Sequence, residues 1–208
     1  VAVIPNGVDS AHFGSVQHLI LNTTALVTVS RLVHKNAIDD VIRALKFLPD
    51  SVRFRIYGTG SEEKKLKNLA NELGIGSRVE FMGHIDHFKL PNALSECDIF
   101  IRPSRSEGMG NSFIEAMAAG LPVIATQEGG IADFLFDAKR NPDKGTTGWA
   151  VDKNSPEQIA EAVKDILANP EQVARVKATA KQFALEKYDW DLIVKQMRNV
   201  FDRLFQNR

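Results

Sequence analysis

The chain has 208 residues, 44% hydrophobic and 25% charged, and its 26 basic residues cancel 26 acidic ones. A chain of this size buries about 70% of the surface its unfolded form exposes, so a core forms without a metal or disulfide staple. Zero formal net charge and the lack of a dense Lys/Arg run argue against a nucleic-acid arm or a polybasic membrane patch. The lone Cys97 excludes an internal disulfide and a multi-cysteine zinc site, which suits the cytoplasm. No apolar stretch approaches the roughly 20 residues that span a bilayer.

In chain order, Val1-Ala-Val-Ile-Pro5 is a strand-like run that begins abruptly, so the chain is expected to be part of a longer one. The turn signal Pro5-Asn6-Gly7 follows. Ala25 to Ser30 is uninterrupted and β-branched, as expected for a strand covered on both faces. Ile38, Val41, Ile42, Leu45 and Leu48 recur at helical spacing. The alternation continues with a strand over 52–57, the turn Gly58-Thr-Gly60, a helix over 61–73, a strand over 78–82, a helix over 89–95 and a strand over 98–101. A Gly-rich loop, a helix over 111–119 and a strand over 121–125 complete it. Strands separated by helix-length segments imply parallel pairing, hence an open α/β sheet flanked by helices, with ligands at the carboxyl ends of the strands.

Past Trp149 helices take over. Ser155 and Gln158 have capping-box spacing ahead of the stripe Ile159, Ala162, Val163, Ile166 and Leu167. Asn169-Pro170 reads as cap and first-turn proline. Asp189 reads as the cap of a last helix carrying Ile193, Met197, Val200 and Leu204. One domain over residues 1–208 with a helical C-terminal tail is the expectation.

Two carboxylates stand out. Glu115 is the only polar side chain from Phe113 to Pro122, and an unpaired buried carboxylate costs several kcal/mol. It therefore faces solvent, as its phase opposite Phe113 and Met117 supports, or has a demanding partner. Glu107 lies in Ser106-Glu-Gly-Met-Gly-Asn-Ser112, after a strand and before a helix, where glycines admit a ligand and the helix start offers free N–H groups. A merely flexible connection is the alternative. In Ser30-Arg-Leu-Val-His-Lys35, Arg31 and Lys35 stand where a phosphate could be paired, or are solvated loop cations. Other signals are weaker. Gly58-Thr-Gly60 lacks the third glycine of a dinucleotide fingerprint, Asp189-Trp-Asp191 reads as a cap rather than a metal motif, and His84 and His87 alone do not make a metal site.

The segment Pro103-Ser-Arg-Ser-Glu107-Gly-Met-Gly-Asn-Ser-Phe-Ile-Glu115-Ala-Met-Ala-Ala-Gly120-Leu-Pro122 resembles the Glu-x7-Glu signature of the retaining, nucleotide-sugar-dependent glycosyltransferases of the GT-B fold, family 4 (group 1). Ile4-Pro-Asn-Gly-Val-Asp9, Val29-Ser-Arg-Leu-Val33, Tyr57-Gly-Thr-Gly60, Val79-Glu-Phe-Met-Gly83, Gly129-Gly130 and Thr147-Gly148 fall in the family's order. The resemblance covers essentially the whole chain. It implies a Rossmann-like C-terminal, donor-binding half of a two-domain enzyme, the N-terminal acceptor domain lying outside this chain. The implied activity is transfer of a hexose from an NDP-sugar, UDP- or GDP-linked, to a hydroxyl acceptor.

By the same resemblance Glu115 grips the ribose hydroxyls and Glu107 contacts the transferred sugar near its anomeric centre. The loop Gly108, Met109, Gly110, Asn111 and Ser112 supplies main-chain amides, Arg31 pairs the diphosphate, and main chain near Ile85 meets the base. Glu107 and Arg31 are the catalytic candidates. No cofactor or bound metal is implied. The family pattern Arg-x4-Lys-Gly departs here, because Asn36 and Ala37 occupy the Lys and Gly places and Lys35 comes one place early. A degenerate nucleotide-binding module, a phosphorylase or an epimerase of the same fold are the alternatives, the Glu pair disfavouring the last two.

Overall fold

The computed structural model describes residues 3–16 and 23–206. Six strands, β1 (Thr24–Val29), β2 (Val52–Tyr57), β3 (Val79–Gly83), β4 (Ile99–Arg102), β5 (Val123–Ala125) and β6 (Trp149–Ala150), form one sheet in the order β3-β2-β1-β4-β5-β6. Every pairing is parallel. The helices are α1 (Ser10–Gly14), α2 (Ile38–Ala44), α3 (Glu63–Glu72), α4 (Leu90–Ser95), α5 (Asn111–Ala118), α6 (Pro156–Ala168), α7 (Pro170–Tyr188) and α8 (Trp190–Gln206).

Side chains alternate across each strand, and here both faces are covered, which is why the strands read as continuous apolar runs. Leu26, Phe54, Ile56, Ile101 and Ile124 point into one core with Ile42 of α2, Leu66 of α3 and Val163 of α6. Ala25, Val27, Phe100 and Val123 point into the other with Phe13 of α1, Leu94 of α4, Phe113 and Met117 of α5, and Ala180 and Ala184 of α7. The strand order reverses direction between β1 and β4, so the loops after these two neighbours diverge and leave a crevice at their carboxyl ends, the place where open parallel sheets bind ligands.

The expected strands and helices are found, most ends shifted by one or two residues. The helix expected over 38–48 is α-helical to Ala44 and finishes as a 3₁₀ turn, Leu45–Phe47. Several expectations need correction, and two short elements were not foreseen. Val1 and Ala2 lie outside the described residues, and Val3 to Gly7 form no strand: Val3 is 87% exposed, and only Val8 makes a single bridge, to Asp189. Helix α1 and the two-residue β6 are too short to leave a periodic signal. Ser155 makes no side-chain cap bond, and the Gln158 side chain pairs with Asp152 rather than reaching back to the cap, accepting from its N–H and donating to its carboxylate, both at 2.9 Å. Asn169 reaches back to Asp165, its amide donating to the main-chain and side-chain oxygens at 2.9 Å each, although Pro170 does open α7. The stripe expected to pack along the last helix is buried only at Ile193, while Met197 is 42% and Leu204 61% exposed.

Asp189 caps α8 as expected, accepting from the Asp191 N–H at 2.9 Å, and its other oxygen accepts from the Ser10 hydroxyl. The Val8 N–H donates to Tyr188 O at 2.7 Å and the Trp190 N–H to Val8 O at 3.1 Å. Gly7 lies against Trp190, where a Cβ would meet the indole ring at 2.9 Å.

The loop after β1 is moulded by its neighbour. The Leu32 N–H donates to Thr59 O at 2.9 Å, and the Glu62 N–H to Leu32 O at 3.0 Å. Gly58 sits at φ +135, with Ser30 O only 1.8 Å from where a Cβ would be. The Gly58-Thr-Gly60 turn thus shapes the Arg31 loop rather than holding a dinucleotide. Gly58→Ala adds both steric overlap and backbone strain, and is expected to cost about 1–3 kcal/mol or more, read as a lower urea midpoint at unchanged slope.

Candidate functional site

Four loops meet at the carboxyl end of the sheet. The segment from Arg31 to Ala37 leaves β1, Gly83 to Lys89 leaves β3, Pro103 to Gly110 leaves β4 for α5, and Gly129-Gly130 follows β5. The β4 loop is the most constrained. Gly129, at φ +57, would place a Cβ 2.0 Å from Glu107 O, and a Cβ on Gly130 would lie 1.9 Å from Gly108 O. The glycine pair lets the two loops touch main chain to main chain, which fixes the height of Glu107 above the sheet.

Glu107 has both oxygens engaged. Oε2 accepts from Arg102 Nη2 at 2.9 Å, while Oε1 accepts from the Gly108 N–H at 3.0 Å and lies 3.6 Å from Lys35 Nζ. Arg102 ends β4 and is 5% exposed. Its Nη1 donates to Val29 O at 3.1 Å and to Ser112 Oγ at 3.0 Å, and the guanidinium stands 4.2 Å from the Phe113 ring centroid. Burial pushes the Arg102 pKa down to about 10 against the pull of Glu107 and Glu115, so it stays charged at neutral pH.

Glu115 is 7% exposed, which corrects the solvent-facing alternative. Every residue of α5 from Phe113 to Ala118 is buried, because α1 and α7 pack on the helix. The demanding partner is His87, whose Nε2 lies 3.1 Å from Glu115 Oε1 and whose ring stands edge-on to Phe13. Burial raises the Glu115 carboxyl above its ordinary 4.5, opposed by His87 and by the Arg102 charge. The two carboxylates therefore share one buried cation, paired directly at Glu107 and acting through space at Glu115.

The remaining expected residues divide. Lys35 reaches Glu107, whereas the Arg31 side chain is exposed and makes no hydrogen bond or ion pair among the described residues. Asn36 turns inward, 4% exposed, and its amide donates to Arg31 O at 2.7 Å. Ala37 holds a left-handed conformation at φ 54, the kind of position where glycine is unstrained. Gly108 is exposed, and Ile85 and Met109 are half-buried against the α5 core. At the start of α5 the Phe113 N–H closes on Gly110 O at 3.1 Å, so Asn111 and Ser112 stand ahead of the first intrahelical acceptors. Asn6 of the Ile4–Asp9 motif donates to Asn111 Oδ1 at 3.4 Å.

Three residues escaped the sequence reading. Arg102 carried a signal, a cation closing the apolar run Ile99-Phe-Ile. His87 was seen only as half of a weak metal pair. Arg105 carried none, and it ties the β1 and β4 loops together. Its guanidinium donates to both oxygens of Asp39 at 2.9 Å each, to Asp40 at 2.9 Å, to His34 O at 2.8 Å and to Asn154 Oδ1 at 2.7 Å. Its N–H donates to Lys35 O at 2.7 Å. Burial, reinforced by Asp39, raises the Asp40 carboxyl.

An open parallel sheet with its chemistry at the β1/β4 reversal is the architecture of a GT-B glycosyltransferase C-terminal domain. The family model described as glycosyl transferases group 1 matches residues 16–183, and the chain belongs to that family. It is 33% identical over 176 residues to a GDP-mannose-dependent alpha-(1-6)-phosphatidylinositol monomannoside mannosyltransferase of Mycolicibacterium smegmatis, a match covering 79% of this chain and 44% of that protein. It is 26% identical to a glycogen synthase of Mycobacterium tuberculosis over 97% of this chain and 48% of the relative. The chain thus spans about half the length of these relatives. Among solved structures, sucrose-phosphate synthase from Thermosynechococcus elongatus superposes with a TM-score of 0.87 at 25% identity, covering 99% of this chain and 53% of that one. Anabaena HepE, solved with UDP and glucose, superposes with a TM-score of 0.85 at 22% identity, covering 97% and 56%.

Arg105 separates folding from ligand chemistry at this site. Its side chain is 14% exposed and that of Asp40 6%, so Arg105→Met leaves a buried carboxylate without its direct ion pair. A loss of about 3–5 kcal/mol is expected, measured by urea denaturation at pH 7.

Proposed function

We propose that this chain is the donor-binding half of a retaining glycosyltransferase that takes a hexose from an NDP-sugar, UDP- or GDP-linked, and passes it to a hydroxyl acceptor. The observation that carries the reading is the pair Glu107 and Glu115, both turned inward at the reversal of the sheet, Glu107 paired with the buried Arg102 guanidinium and Glu115 with His87. Carboxylates accept only, which suits the diol of a ribose at Glu115 and the hydroxyls of a sugar at Glu107. Lys35, Arg31 and the amides of Gly108 to Ser112 are the groups of matching charge for the diphosphate, and main chain near Ile85 is where the base would lie. Lys35 takes the part of the family lysine: it stands 3.6 Å from Glu107, while Asn36 is spent on closing the loop. No bound metal or cofactor is part of this reading.

In the proposed reaction the bond from the anomeric carbon to the diphosphate breaks, and these cations and amides stabilise the charge left on the departing phosphate. The acceptor site belongs to a second domain preceding this one, as the half-length match to the relatives supports. The uncovered apolar residues Val194, Met197, Phe201 and Leu204 of α8 also support a further packing partner. Cytoplasmic placement accords with the buried, reduced Cys97; among the described residues no helix is long and apolar enough to cross a membrane.

Isothermal titration of the chain with UDP, GDP and ADP tests the reading: heat with at least one is expected, and none with any, in a folded sample, would overturn it. Glu115→Ala is expected to weaken nucleotide binding by about 1–3 kcal/mol, the worth of the ribose hydrogen bonds.

Acidification gives a signed test. Because the folded carboxyl of Glu115 is raised above 4.5, it protonates earlier than an ordinary carboxylate as pH falls. The folded state takes that proton more readily than the unfolded one, so this group's contribution to stability rises while its power to accept from a diol declines. Nucleotide affinity should therefore fall from above the usual carboxylate range with no accompanying drop in the unfolding midpoint from this group, and the Glu115→Gln variant should lose that pH dependence.

A further inference from the structure

Arg102 is the costliest side chain to place where it is. It closes a strand whose other members, Ile99, Phe100 and Ile101, are fully apolar and at most 1% exposed, and burying a guanidinium is costly to the extent that its donors go unmet. Its two terminal nitrogens are met from three elements, Val29 O at the end of β1, Ser112 Oγ in the first turn of α5 and Glu107 in the intervening loop, while Nε is buried without a hydrogen-bond partner among the described residues. The ring of Phe113 covers one face of the guanidinium. The loop is cut to fit, since a Cβ on Gly110 would approach Arg102 Nη2 to 2.4 Å. Gly110 thus leaves room for a cation as well as adopting φ 70.

We propose that Arg102 is a positioning residue of the donor site, holding one oxygen of Glu107 so that the other faces the transferred sugar. The inference rests on the donor reading given above. With Oε2 bound to Arg102, the carboxylate cannot turn about its last torsion, and Oε1 is directed to the side occupied by the Gly108 N–H and Lys35 Nζ. Arg102 is too buried to meet a ligand, so it acts through Glu107. A lysine at 102 would keep the charge yet lose the fork that spans Val29, Ser112 and Glu107 at once.

The test compares the chain with Arg102→Met, Arg102→Lys, Glu107→Gln and the double variant Arg102→Met/Glu107→Gln, each first shown to be folded by urea denaturation. Saturation-transfer NMR with UDP-glucose and GDP-mannose reads base and hexose protons separately. In the unaltered chain both sets are expected to be saturated by at least one of the two probes. In Arg102→Met and Arg102→Lys the hexose signal should fall severalfold relative to the base, and the double variant should match Glu107→Gln alone. An unchanged hexose-to-base ratio, a parallel fall of both signals, or a double variant weaker than Glu107→Gln overturns the proposal, and so does base without hexose saturation in the unaltered chain. No saturation at all with either probe removes the donor reading itself and this inference with it. Should Arg102→Met not fold, Arg102→Lys decides by the same ratio.

Discussion

A guanidinium taken out of water needs its charge balanced by whatever acceptors the fold can bring within reach, and at the carboxyl end of β4 that demand organises the surroundings. Arg102 draws a carbonyl from the end of β1, a hydroxyl from α5 and a carboxylate from the loop between. The parallel order of the sheet sets β1 beside β4, so the first acceptor is supplied by topology alone. The other two require the chain to double back at once after the strand, which Gly110 permits by its left-handed conformation and its lack of a side chain. Without the cation, Glu107 would be a nearly buried charge with only Lys35 and one amide to balance it.

Many of the short motifs that mark the family turn out to be points where two loops touch. Gly58 and Gly60 press on Ser30 and Leu32, Gly129 and Gly130 on Glu107 and Gly108, and Gly148 on Val123 and Leu135. Thr147 shares the second kind of duty, its hydroxyl donating to Phe134 O at 2.6 Å while accepting from the Phe136 N–H at 2.8 Å. These residues shape a site without entering it.

The alternation of apolar runs and helical periodicities made the sheet and its flanking helices legible, since a strand covered on both faces and a one-sided helix leave opposite traces. Short elements were not legible: α1 and β6 exist because the rest of the fold holds them. Caps were half-legible. Asp189 behaves as its type suggests, whereas Ser155 and Asn169 have the right residue type but make no side-chain cap bond, Asn169 reaching back to Asp165 instead. The burial of Glu115 was misjudged for a related reason, as helical phase describes one helix and not what α1 and His87 lay over it. Lys35 was legible as a loop cation, but its reach to Glu107, the inward turn of Asn36 and the strained backbone of Ala37 are properties of a closed loop that residue types do not reveal.

The pairing of Ser10 with Asp189 joins residues 179 apart in the chain, and Val8 and Gly7 lean on the same bend between α7 and α8. During synthesis the earliest described segment therefore emerges well before the residues that receive it. Loop closure over so long a separation favours the more local pairings of the β1 to β5 body forming first, with the Phe13 segment expected to dock afterwards. The order of manufacture and the order of completion run opposite ways in this molecule.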